Sequence, residues 1–186
     1  MINSRACAFR PTVSWLVVVT VSLLAMPAAR AVDFILIGGQ GDDVSVAAAA
    51  IRMQNWKSGE AGHFAYALAG EWQVGVWDAL SSAATDQQVV DGSFTSVLGL
   101  RPASGRLAST YMEFGFGLHL LSDSRIGADR NFGCAFQFGE FLGIGADLGS
   151  QRRYSFGVRV QHVSNGSIKS QNDGITFAQA LLQYRF

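Results

Sequence analysis

The sequence predicts an all-β protein, an eight-stranded antiparallel up-and-down transmembrane β-barrel. Three observations carry that expectation. From about residue 32 onward, large apolar residues alternate with small or polar ones, the period of a strand rather than of a helix. The column opposite the apolar one is rich in glycine and alanine and poor in charge, where a soluble sandwich would carry solubilising charges. The final segment alternates to a terminal aromatic, Tyr184, Arg185, Phe186.

Residues 1–31 read as a signal peptide. Arg5 and Arg10 give a positive start, an apolar stretch runs from about Val13 to Met26, and Ala29 and Ala31 form an A-x-A cleavage site. The apolar core is short and holds Ser14, Thr20 and Ser22, which argues against a membrane anchor. The barrel domain is then 32–186. The whole chain has 14 basic and 14 acidic side chains, and losing Arg5, Arg10 and Arg30 with the leader tips the remainder to the acidic side. With no basic patch, a nucleic-acid partner is not expected. Cys7 leaves with the leader, so Cys134 is the one cysteine of the mature segment and an intrachain disulfide is excluded. That segment has no apolar run of about 18 residues, the length that argues a spanning helix.

Strands are expected at 33–40, 43–57, 63–78, 91–102, 109–121, 131–148, 153–164 and 174–186. The first two are the weakest patterns, and the second is expected to change phase between Val46 and Ile51 at a bulge. The third sets Tyr66, Leu68, Trp72, Val74 and Val76 against Ala65, Ala67, Glu71 and Gln73. The fifth sets Met112, Phe114, Phe116, Leu118 and Leu120 against Tyr111, Glu113, Gly115, Gly117 and His119. In the sixth, Phe136, Phe138, Leu142 and Ile144 form the apolar column, and Glu140 is its lone exception. The glycine-rich column, with Glu71, Arg101, Glu113 and Arg159, suits the crowded lumen of a small barrel. The apolar column then faces lipid. His63 and His119 fall on lumen columns. Trp56, Trp72 and Trp77 suit membrane girdles or lumen packing. Short connections near 58–62, 103–108 and 149–152 alternate with longer ones near 79–90, 122–130 and 165–173, as periplasmic turns alternate with external loops; the tight first connection is the exception. An even strand count puts both termini on one side.

In the seventh strand Tyr154, Phe156, Val158, Val160, His162 and Ser164 share one face. His162 and Ser164 therefore continue the lipid-facing column, at the outer end of an upward strand. A histidine beside a serine is the minimum apparatus for an activated hydroxyl. Polar residues at a strand end also suit the headgroup interface, so spacing alone leaves both readings open. No histidine–carboxylate cluster has metal-ligand spacing, and no phosphate-binding glycine loop is present.

The longer string H-V-S-N-G-S-I-K-S-Q-N-D-G-I, from His162 to Ile175, resembles the signature of the PagL family of outer-membrane lipid A 3-O-deacylases. A weaker stretch, Phe136 to Phe138 followed by Glu140, looks like the family's sixth strand. The resemblance implies Ser164 as nucleophile, His162 as general base, and Asn165 as the family's essential asparagine. It implies that the Asn172 amide, with a backbone N–H near Gly166 and Ser167, holds the oxyanion. Lys169 is given no catalytic role. The family pattern places a glutamate after N-D-G-I, whereas this chain has Thr176. A threonine hydroxyl can fix the imidazole tautomer but cannot balance an imidazolium as a carboxylate does. Asp173 is a second candidate for that role. Glu140 is expected too far from the outer end for direct contact.

The function so implied is hydrolysis of the 3-position ester-linked acyl chain of lipid A, in the bacterial outer membrane, without a cofactor. The partners expected are lipopolysaccharide in the outer leaflet and the surrounding outer-membrane lipids; a homodimer is left open. The rival is a non-enzymatic structural or adhesion barrel, which the threonine at 176 favours. An acyltransferase is a third reading.

Overall fold

The computed structural model describes residues 32–80, 88–127 and 130–186; the expected leader lies outside the described residues. The strands are β1 (Val32–Gly41), β2 (Val44–Ala61), β3 (Phe64–Ala79), β4 (Gln88–Pro102), β5 (Thr110–Leu121), β6 (Arg125–Ile126), β7 (Arg130–Asn131), β8 (Phe136–Leu148), β9 (Tyr154–Ser164) and β10 (Ile175–Arg185). Eight of them close into an antiparallel barrel, ordered β1-β10-β9-β8-β5-β4-β3-β2, while β6 and β7 form a separate two-stranded ribbon in the loop from β5 to β8. Closure is made by β1 against β10, from Asp33 opposite Arg185 to Gln40 opposite Ala178.

The period-two columns become the two faces of the wall. The outward column is apolar and uncovered: Phe116 is 58% exposed, Ile144 57% and Val160 55%. Left in water, such side chains cost roughly 1.5–3 kcal/mol each relative to burial. A continuous band of them therefore calls for an apolar solvent, and the wall is that of a membrane barrel. No helix among the described residues is long and apolar enough to cross a membrane; this barrel crosses with strands.

Inside, two layers fill the lumen. The lower and middle layer is mainly polar, with a small apolar patch of Ile35, Ile37, Ala50 and Leu181 where β1, β2 and β10 meet. Arg52 donates to Glu71 Oε2 at 2.6 Å and to Glu113 Oε2 at 3.0 Å, and Arg159 donates to Glu71 Oε1 at 3.1 Å and Gln73 Oε1 at 2.9 Å. Arg101 and Arg185 each meet Asp147 at 2.9 Å. His119 Nδ1 sits 2.9 Å from Asp91. Burying these charges is tolerable because each has a partner. At the outer end the lumen is instead apolar: Val44, Val46, Trp77, Val89, Leu121, Ile126, Phe132, Val163, Ile175 and Phe177 form a buried plug. Trp77 meets Phe177 and Phe132 edge-on at 5.0 and 5.8 Å.

Several local expectations change. β2 keeps its phase from Val46 to Ile51, because Val46 belongs to the inner plug rather than the outer column. Its irregularity lies lower, between Met53 and Lys57, where two extra residues face β3. Residues 58–61 continue β2, and the turn that follows is tight, with Gly62 at φ 61°. His63 occupies that turn and is exposed rather than lumenal. Residues 131–135 do not extend the sixth barrel strand; they turn through β7 and a bend before β8 begins at Phe136. The tryptophans divide: Trp56 and Trp72 lie outside against Phe94, at 5.8 and 4.6 Å, while Trp77 is inside.

Candidate active site

The outer ends of β8, β9 and β10 assemble the site. Val163 on β9 is fully buried in the plug, so its neighbours His162 and Ser164 face out. Ile175 pairs with Val163, and both point inward. The register then sets Thr176 directly opposite His162 on the outer face. His162 Nδ1 and Thr176 Oγ1 lie 2.9 Å apart. With Nδ1 carrying the proton toward that hydroxyl, Nε2 is left as the basic nitrogen.

Gly174 makes room for the ring. A methyl group there would sit 3.0 Å from His162 Nε2 and 3.1 Å from Ser164 Cβ. The basic nitrogen and the serine side chain thus converge on the space over one glycine. Arg130 donates to the Gly174 carbonyl and, at 3.3 Å, to that of Asp42; Thr176 N–H donates to Asp42 Oδ2 at 3.2 Å. These contacts pin the start of β10.

Loop 165–174 is held from within. Asn165 is fully buried, and its Nδ2 donates to the carbonyls of Phe132 at 2.8 Å and Gln171 at 2.7 Å. Its backbone N–H donates to Asn172 Oδ1 at 2.8 Å. The Asn165 amide is therefore turned into the barrel, away from the outer face, and ties the loop to the plug. Asn172 is half-buried, and its Nδ2 makes no hydrogen bond among the described residues. Gly166 and Ser167 both adopt positive φ, 61° and 67°, and their backbone N–H groups have no partner among the described residues. Successive N–H groups in such a turn form a concavity suited to an anion.

The sequence offers two acids near Thr176 and His162, Asp173 and Glu140. Asp173 is occupied elsewhere: its Oδ2 accepts the Asn131 N–H at 3.0 Å, and its own N–H donates to the Asn131 carbonyl at 3.2 Å. Among the described residues no hydrogen bond or ion pair joins Glu140 to His162, yet Glu140 lies nearer the outer end than its place in the sequence suggests. Because β8 begins at Phe136, Glu140 is only the fifth residue of its strand and stands directly opposite His162, with Phe138 opposite Ser164. Sequence reasoning missed this because the five residues before β8 look like strand by alternation. The broken apolar column at Glu140 was the available signal.

Together, fold and site define a class: a membrane β-barrel with a polar serine–histidine constellation on its outward face at one rim. The family model of lipid A 3-O-deacylase (PagL) matches residues 48–185. The lipid A deacylase PagL of Bordetella bronchiseptica is 38% identical over 76 residues, 41% of each chain. That of Pseudomonas aeruginosa is 31% identical over 110 residues, 58% of this chain and 60% of the relative. The matched stretches thus span under two thirds of either relative's length. A crystal structure of the outer membrane enzyme PagL superposes with a TM-score of 0.69 at 22% identity, covering 82% of this chain and 98% of that one, which shows the shared fold. The chain belongs to the PagL family.

Proposed function

We propose that this chain is an outer-membrane esterase that removes the 3-position ester-linked acyl chain of lipid A, using Ser164 and His162. The observation that carries the reading is the placement of both side chains on the outward, lipid-facing wall, with Nδ1 of His162 engaged by Thr176. A substrate that is itself a membrane lipid reaches such a site by lateral diffusion and needs no enclosed pocket.

In this reading Ser164 Oγ attacks the ester carbonyl and His162 Nε2 takes its proton. The oxyanion is received by the uncommitted Asn172 Nδ2 and the free N–H groups of Gly166 and Ser167. The protonated imidazole then gives its proton to the departing sugar oxygen, leaving an acyl group on Ser164. Water, deprotonated by Nε2, releases the fatty acid. Asn165 supports this arrangement from inside the barrel. Residues 1–31 act as the signal peptide, so the membrane form begins at Val32, which N-terminal sequencing reads directly.

Mass spectrometry of lipid A from cells expressing the chain tests the activity. Loss of one 3-hydroxyacyl group is expected, abolished by Ser164→Ala and by His162→Ala. Unchanged lipid A in the presence of folded protein would sink the proposal, and a gained acyl chain would favour an acyltransferase.

A further inference from the structure

Thr176 can orient His162 but cannot balance its charge, and the wall offers one group that can. Glu140 is the sole acidic side chain on the outward faces of β8, β9 and β10. Its outward neighbours along β8 are Phe138 and Leu142, and across the wall on β5 it faces Phe116. A carboxylate in that column has no packing rationale, since lipid-facing positions favour apolar residues. Its other cross-strand partner is His162. Side chains directly opposite on one face of an antiparallel pair have Cβ atoms about 4.5–5.5 Å apart, within reach for a carboxylate and an imidazole. The remaining polar outward groups beside the ring, Thr176 and Ser164, are neutral; Asp173 is bound to the Asn131 backbone, and the Asp42 carboxylate is taken up by the Thr176 N–H at 3.2 Å and by Arg130 at 3.9 Å.

We propose that Glu140 is a positioning residue of this site, acting through His162 from the β8 side. Thr176 fixes the ring through Nδ1 on one flank. Glu140 supplies on the other flank the negative charge that stabilises the imidazolium formed when Ser164 loses its proton. The two functions that a single carboxylate combines in a Ser-His-acid triad are here divided between two strands. The inference rests on the reading of Ser164 and His162 as nucleophile and base. It does not require lipid A to be the substrate.

The test is the rate at which a fluorophosphonate labels Ser164 in the purified, folded barrel in detergent. In that reaction Oγ bonds to phosphorus, fluoride leaves, and the serine proton passes to His162, so no lipid is needed. Glu140→Gln is expected to slow labelling about 30- to 100-fold, from the loss of a charge one strand away in a poorly screened setting. Thr176→Glu placed in the Glu140→Gln background is expected to restore most of the rate. In the wild-type background the same change adds much less, because the two carboxylates serve one role. Heat-modifiable mobility on gels verifies that each variant is a folded barrel.

Labelling of Glu140→Gln at the wild-type rate would overturn the inference, as would a slow variant that Thr176→Glu leaves slow, or a wild-type serine that does not label. If Ser164 labels in a Glu140-dependent way while lipid A keeps all its acyl chains, the substrate assignment fails and the role of Glu140 stands.

Discussion

A methyl group added at Gly174 would lie 2.8 Å from His162 Cε1 and 3.1 Å from Ser164 Cβ, so the ring would have to move. Displacement of about 1 Å in a reacting constellation costs on the order of 100-fold in rate. Gly174→Ala is therefore expected to lower kcat by about that factor while leaving the barrel's heat-modifiable mobility unchanged; wild-type turnover would contradict the geometry. Thr176 presents a subtler case. Thr176→Val keeps the shape and removes the oxygen that faces Nδ1 at 2.9 Å. A neutral hydrogen bond contributes about 0.5–1.5 kcal/mol, so the expected loss in kcat is up to about tenfold, with KM for a micellar lipid substrate little changed. That His162 and Ser164 share the outward face was legible from their spacing together with the apolar column they continue, Tyr154, Phe156, Val158 and Val160. That Glu140 stands opposite His162 was not, because spacing along one strand carries no information on the register of the next.

The strand ends that carry the site are held by the loop between them and by the plug behind them. Asn165 donates to two carbonyls, of Phe132 and Gln171, that belong to different loops. Asn165→Ala removes the donor to the Gln171 carbonyl and leaves the Phe132 carbonyl only its longer bond from Gln137 at 3.4 Å, a loss of about 1–3 kcal/mol in all. Faster proteolytic cleavage within 166–173 and lower activity are expected together. If loop protection is unchanged, Asn165 has a role other than tethering. Behind the site, Val163, Ile175 and Phe177 belong to the apolar plug. The polar lumen that the sequence predicts holds for the middle of the barrel, where Arg52, Glu71 and Arg159 interlock. The apolar outer layer was not legible, because an inward Val46 or Trp77 looks the same in sequence as an outward one. The same ambiguity produced the misplaced phase change in β2 and the overlong sixth strand.

For the barrel as a whole, the decisive quantity is which solvent each face meets. Val158, mid-wall between Ile144 and Ala180, is 46% exposed on the outer face. An arginine there costs about 2–4 kcal/mol at the bilayer midplane, so Val158→Arg is expected to lower the urea midpoint of the barrel in lipid vesicles by a corresponding amount. A soluble protein would tolerate the same surface charge with little change, and an unaltered midpoint would contradict the membrane reading. The sequence by itself determined the alternation, the antiparallel barrel and the outward face of His162 and Ser164, because side-chain direction in a strand is a local, period-two property. Only the tertiary structure decided which residues flank that pair, where each strand begins, and which inward residues are plug and which are network. Those depend on register, loop excursions and closure of β1 on β10, and they arise from contacts between segments far apart in the chain.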